Sequence, residues 1–262
     1  MPFVDNGGPR IRYERGGAAS GPVLVFSNSL GTDLSLWEPQ LRAFDGYGLL
    51  RYDTRGHGAS ALGPPSCTIE DLGRDVLRLL DACGVERAHF CGLSIGGQIG
   101  QWLGAHAPER FLSLTLCNTA AHIGTPETWN ARIEFVRAGG TAALLPGLLE
   151  RWFSAPFRQA APDAVARAEA MVRATGSDGY TALSAAVRDN DATAYVGTIR
   201  VPVLVVAGRF DRVTTPADGR ALAGAIPGAR YVEVPAAHLS NIEAAAELNA
   251  ALSAFLSEQE PR

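Results

Sequence analysis

His89-Phe90-Cys91-Gly92-Leu93-Ser94-Ile95-Gly96-Gly97 changes character halfway along, and that change decides the fold. His89–Cys91 reads as a short buried strand. Gly92–Gly96 is a G-x-S-x-G pentapeptide, and Gly97–Ala105 continues as a helix. Glycines at 92 and 96 leave room for a tight strand-to-helix turn that lifts the Ser94 hydroxyl out of the backbone, and Gly97 allows close packing. Alone the pentapeptide is weak evidence, but the strand before it and the helix after it supply the context that such a motif needs. The alternative for these residues is a glycine-rich turn with a solvent-facing serine.

The same alternation extends in both directions. Val23–Ser27, Leu49–Tyr52, Leu112–Cys117, Val203–Ala207 and Tyr231–Val234 are apolar, β-branched runs suited to strands buried on both faces, and a helix is expected around Ile69–Cys83. The pattern predicts an α/β fold: a mostly parallel twisted sheet with helices on both faces. Residues 119–195 break it. Thr125-Pro126-Glu127 starts a helix that Gly139-Gly140 stops, and Asp163–Ala174 and Asp178–Arg188 are further helical runs. These residues are expected to form an inserted helical cap on a core made of residues 1–118 and 196–262. The ends of the insert would meet at the carboxyl edge of the strands, where open α/β sheets place their ligands.

The bulk properties narrow the function. The chain has 262 residues, 47% hydrophobic and 19% charged, with a formal net charge of −4, an ordinary globular mix without the basic footprint of a nucleic-acid or anionic-membrane binder. Met1–Asn6 carries no secretory pattern, and no apolar run reaches membrane-spanning length. The four cysteines (67, 83, 91 and 117) form no CxxC pair, so a cytoplasmic location is expected, with no metal and no cofactor.

A serine hydroxyl needs a base to take its proton, and histidine is suited to that near neutral pH. Of the five histidines, His57 lies in the turn-rich Asp53–Gly58 segment and reads as a turn-stabilising group. His89 opens a strand, pointing away from the carboxyl edge. His106 ends a helix. His122 could line the cleft but precedes the acid. His238 follows the last strand on a loop at the carboxyl edge and completes the chain order Ser, acid, His. Asp211, on the loop after Val203–Ala207, is the acid candidate; its alternative is capping the helix near Thr215-Pro216. The edge after the preceding strand, Cys117-Asn118-Thr119, offers no carboxylate. The backbone N–H groups of Ile95 and Leu30 are the expected oxyanion donors.

These residues resemble the α/β-hydrolase family and, within it, the bacterial 3-oxoadipate enol-lactonases. The resemblance spans nearly the whole chain. It rests on Phe26–Thr32, Arg51–Gly58, Cys91–Gly97, Ala207–Asp211 and Ala236–Glu243, with Ser27-Asn28-Ser29-Leu30-Gly31 and Ala237-His238-Leu239-Ser240-Asn241-Ile242-Glu243 the more particular pieces. It implies an α/β-hydrolase fold and a Ser94–His238–Asp211 triad. The triad would open a small anionic lactone, with water as co-substrate, to 3-oxoadipate through an acyl-enzyme. The substrate carboxylate asks for a cation. Arg132 lies on the apolar stripe of Trp129, Ile133 and Val136 and would either bind that carboxylate or turn outward to solvent or a neighbouring acid. Trp129 and Trp152 would wall the pocket or simply pack. Arg151 is the weaker second cation, because Glu150 adjoins it. The same triad also fits a carboxylesterase, a C–C bond hydrolase, a perhydrolase or a slow ligand-sensing relative.

Overall fold

In the computed structural model, which describes residues 2–259, the strands are β1 (Phe3–Val4), β2 (Ile11–Gly17), β3 (Val23–Ser27), β4 (Gly48–Tyr52), β5 (Ala88–Leu93), β6 (Phe111–Cys117), β7 (Val203–Gly208) and β8 (Arg230–Val234). They form one sheet in the order β1-β2-β4-β3-β5-β6-β7-β8. Neighbours from β4 to β8 pair in parallel, so their carboxyl ends share one edge. Every residue of β5 and β7 is buried, because helices cover both faces and unbroken apolar runs are tolerated there.

β1 and β2 lie outside the strands expected from the sequence; β2 pairs antiparallel with β1 on one side and with β4 on the other. β2 reads Ile-Arg-Tyr-Glu-Arg-Gly-Gly, and only its first residue is buried. A charged, half-exposed strand next to the sheet's edge lacks the apolar signal of central ones.

The helices flanking the first half of the sheet are α1 (Ile69–Ala82) and α2 (Ile95–His106). α1 begins with a reciprocal cap, in which Thr68 accepts from the Asp71 amide and the Asp71 side chain accepts from Thr68. Between β6 and β7 the chain forms α3 (Pro126–Gly139), α4 (Leu145–Trp152), α5 (Ala155–Ala160), α6 (Pro162–Ala174) and α7 (Ser177–Asp189). α3 starts with Pro126 in its first turn behind the Thr125 cap and ends at Gly140, whose φ is 74°. α4, which has Pro146 in its first turn, buries Leu145, Leu148 and Trp152 on one stripe. These side chains belong to the same apolar cluster as Phe26, Phe90 and Leu116 of the sheet. After β7 come α8 (Pro216–Ala225), α9 (Ser240–Glu243) and α10 (Ala245–Ser257). No described helix is long and apolar enough to cross a membrane.

Candidate active site

Ser94 occupies the turn between β5 and α2 with φ 59° and ψ −114°, a combination outside the regions open to ordinary L-residues. Three hydrogen bonds hold it there. Its amide donates to the Cys117 carbonyl (2.9 Å), and its own carbonyl accepts from the Gln98 amide (3.1 Å) and the Thr119 hydroxyl (2.8 Å). The turn is too tight for side chains beside it: a Cβ at Gly92 would lie 2.2 Å from the Gly96 carbonyl oxygen. Strain of this kind persists only where the surroundings over-determine it.

Loops from the neighbouring strand ends bring the other polar groups to the same edge. His238 Nδ1 lies 2.8 Å from Asp211 Oδ2, and both side chains are buried. The other Asp211 oxygen, Oδ1, accepts from the amides of Val213 (2.7 Å) and Thr214 (3.2 Å). Oδ2 accepts from the Thr214 hydroxyl (2.9 Å) and Asn118 Nδ2 (2.9 Å) as well. Burial alone would push this carboxyl's pKa up. The His238 ring, Asn118 and the Val213 amide outweigh it, and the net shift is downward. An ionised Asp211 can only accept, so Nδ1 of His238 carries a proton, and Nε2 is the nitrogen left to act as base when the imidazole is neutral. Asp211 does not cap the next helix: Thr215 does, accepting from the Asp218 amide.

Asn118 is a functional position that the sequence reading passed over while searching that edge for a carboxylate. Its φ is 46°. Its Nδ2 donates to Asp211 and to the Ala237 carbonyl (3.1 Å), and its Oδ1 accepts from the Ser240 hydroxyl. It thus joins the acid loop to the histidine loop. Glu243 makes a second join, accepting from the amides of Ala237 (2.9 Å) and Ser154 (3.2 Å), while the Leu239 amide donates to the Trp152 carbonyl (3.1 Å).

Ser94, His238, Ser29 and Leu30 line one cavity. The other histidines lie elsewhere. His57 accepts from the Gly31 amide, His89 bonds Ser113 within the sheet, His106 stacks on Trp102, and His122 contacts the Asn190 carbonyl at the surface. Among the described residues no group of three His, Cys, Asp or Glu side chains could hold a metal ion.

A family model for the alpha/beta hydrolase fold matches residues 22–245. The chain belongs to the α/β-hydrolase family. The hydrolase is 40% identical to 3-oxoadipate enol-lactonase 2 of Acinetobacter baylyi over 94% of its own length and 92% of the relative's. Its identity to 3-oxoadipate enol-lactonase 1 of the same organism is also 40%, over 90% and 89% of the two chains. Its backbone superposes on the crystal structure of the enol-lactonase from Burkholderia xenovorans LB400 with a TM-score of 0.95 at 43% identity, covering 98% of this chain and 100% of that one.

The far wall of the hydrolase's cavity comes from the inserted helices. Trp129 and Trp152, both buried, stand beside Arg132, Arg151 and Tyr180. The Trp129 indole donates to the Ile123 carbonyl (2.6 Å), and its ring lies under the Arg132 guanidinium at 4.8 Å. Arg132 therefore turns inward rather than out to solvent. Arg151 lines the cavity too, and its buried Nε finds no hydrogen-bond partner. Burial, and then the Arg132 charge, pull the Arg151 pKa down. Burial pushes the Tyr180 phenol up against the opposing pull of both cations. The adjacency of Glu150 is misleading: successive helical residues diverge, and Glu150 reaches towards Arg158 (4.0 Å). Tyr180 was missed because nothing in the α7 sequence separates an aromatic that lines a site from one that packs. The cavity volume is about 20 Å³, room for roughly one water molecule.

Proposed function

We propose that this hydrolase opens 3-oxoadipate enol-lactone to 3-oxoadipate, with Ser94 as nucleophile, His238 as general base and Asp211 as the group that orients the imidazole. One observation carries the reading: His238, paired with Asp211, shares a small cavity with a strained, turn-borne serine, opposite two arginines that, among the described residues, form no ion pair with a carboxylate. The names of the relatives support the choice of lactone.

In this mechanism His238 Nε2 takes the Ser94 proton as Oγ attacks the lactone carbonyl. The developing oxyanion is met by the backbone N–H groups of Leu30 and Ile95, each worth about 3–4 kcal/mol in the transition state. The ring C–O bond breaks, His238 returns the proton, and the released enol tautomerises to the ketone. Water, deprotonated by the same imidazole, then cleaves the acyl-enzyme to give the diacid. Once the side chains that close this space of about 20 Å³ move apart, the substrate carboxylate lies against Arg132 and Arg151, between the walls formed by Trp129 and Trp152. Residues 119–195 act as a cap over a core of residues 1–118 and 196–262. The four cysteines, free as thiols, support a cytoplasmic setting.

The test follows the loss of lactone absorbance with wild-type protein beside Ser94→Ala. Hydrolysis by the wild type with a loss of at least about 1,000-fold in the variant is the expected result. Equal rates would remove Ser94 from the chemistry. A wild type inert to the lactone yet active on p-nitrophenyl acetate would keep the triad and overturn the substrate.

A further inference from the structure

We infer that His57 is a positioning residue that locks the oxyanion loop of this hydrolase. The inference rests on the reading above, in which the Leu30 N–H receives the developing negative charge.

Leu30 and Gly31 are the central residues of a tight turn closed by the Thr32 amide donating to the Ser29 carbonyl at 3.2 Å. Gly31 has φ +80°, which is what the third position of a type II turn demands. Type I and type II turns differ by about a half-rotation of the central peptide, here the one joining Leu30 to Gly31. That peptide carries the Gly31 N–H, and it donates to His57 Nε2 at 3.0 Å. Without this bond the turn loses its tie to the loop after β4 at Gly31 and is free to shift as a whole, and with it the backbone of Leu30, which lines the cavity with Ser94 and His238.

The acceptor is itself held firmly. An amide N–H only donates, so Nε2 of His57 is unprotonated and its proton sits on Nδ1, facing the Arg55 carbonyl at 3.3 Å. The ring is buried. Arg55 is fixed in turn by a two-pronged buried pair with Asp75, at 2.6 and 2.8 Å. The loop after β4 thus acts as a brace for the loop after β3. A histidine that stabilised only its own turn would not bond across to residue 31.

The experiment compares His57→Asn with His57→Gln, and adds His57→Ala. The glutamine amide oxygen reaches the place of Nε2, and the asparagine amide does not. Turnover of p-nitrophenyl acetate is measured per active site, counted by the amount of a fluorophosphonate bound at Ser94, so that partial misfolding is divided out. The expected result is a kcat about 10- to 100-fold below wild type for Asn and Ala, with KM within about twofold, and recovery of most of the loss in Gln. Equal kcat per site in Asn, Gln and wild type would overturn the inference. So would a loss confined to KM. If Ala fails to fold, the Asn and Gln pair still decides. A wild type that neither turns over the ester nor takes the label overturns the Ser94 reading itself. A labelled, active wild type matched by His57→Asn overturns only the role of His57.

Discussion

The two walls of the cavity are built on opposite terms. On the sheet side the acid is saturated and the serine backbone is pinned: Asp211 accepts from His238, Asn118, Thr214 and two amides, and Ser94 is tied through its amide and its carbonyl. On the helical side, among the described residues, Arg132 and Arg151 form no ion pair with a carboxylate, and the Nε of Arg151 is buried without a partner. Saturation fixes geometry before substrate arrives, which is what transition-state stabilisation requires. Unmet donors, costly in the free protein, are repaid by an anion that brings its own acceptors. On the function proposed above, one wall serves the reaction and the other recognition.

Substitutions can break that contrast. The largest effect is expected at Asp211→Asn, which keeps the shape but favours the wrong imidazole tautomer. kcat should fall about 10³- to 10⁴-fold with the fold intact by circular dichroism. A loss below about tenfold would mean that the saturated wall is only scaffolding. Next come Arg132→Ala and Arg151→Met, each expected to lower kcat/KM for the anionic lactone about 10- to 100-fold while a neutral ester loses far less. Equal losses on both substrates would end the division of labour between the walls.

The smallest effect is on stability. Burial drives the His57 pKa down to about 4, against the weaker upward pull of the Arg55 carbonyl and the Asp33 charge. Between that value and its ordinary pKa near ~6.5 the unfolded chain binds a proton that the folded one refuses. Stability is therefore lost as pH falls through this window. From pH 7 to 5 the wild type should lose about 2 kcal/mol more than His57→Gln in urea unfolding. Parallel pH profiles for the two proteins would show that the ring is not held neutral.

Much of this was legible because parallel strands buried on both faces announce themselves. Val203–Ala207 is an unbroken apolar run and Leu112–Cys117 is interrupted only by Ser113 and Thr115, and Ser94, Asp211 and His238 sit just past runs of this kind. β2 was not legible, since a half-exposed strand carrying Arg12, Glu14 and Arg15 looks like a loop. Asn118 was hidden for a different reason. A neutral amide that bridges two loops has no spacing signature, and its worth appears only when Asp211 and Ala237 arrive from distant parts of the chain. Arg151 was discounted because sequence neighbours are easily mistaken for spatial ones.

The backbone at Ser94 carries a last consequence. Its φ of 59° and ψ of −114° suit glycine far better than serine. Breeding the enzyme for heat tolerance alone would reward Ser94→Gly, which relieves the turn and deletes the hydroxyl in the same step. Durability and usefulness pull against each other at this one position, so a screen for hardier variants has to demand turnover in every round.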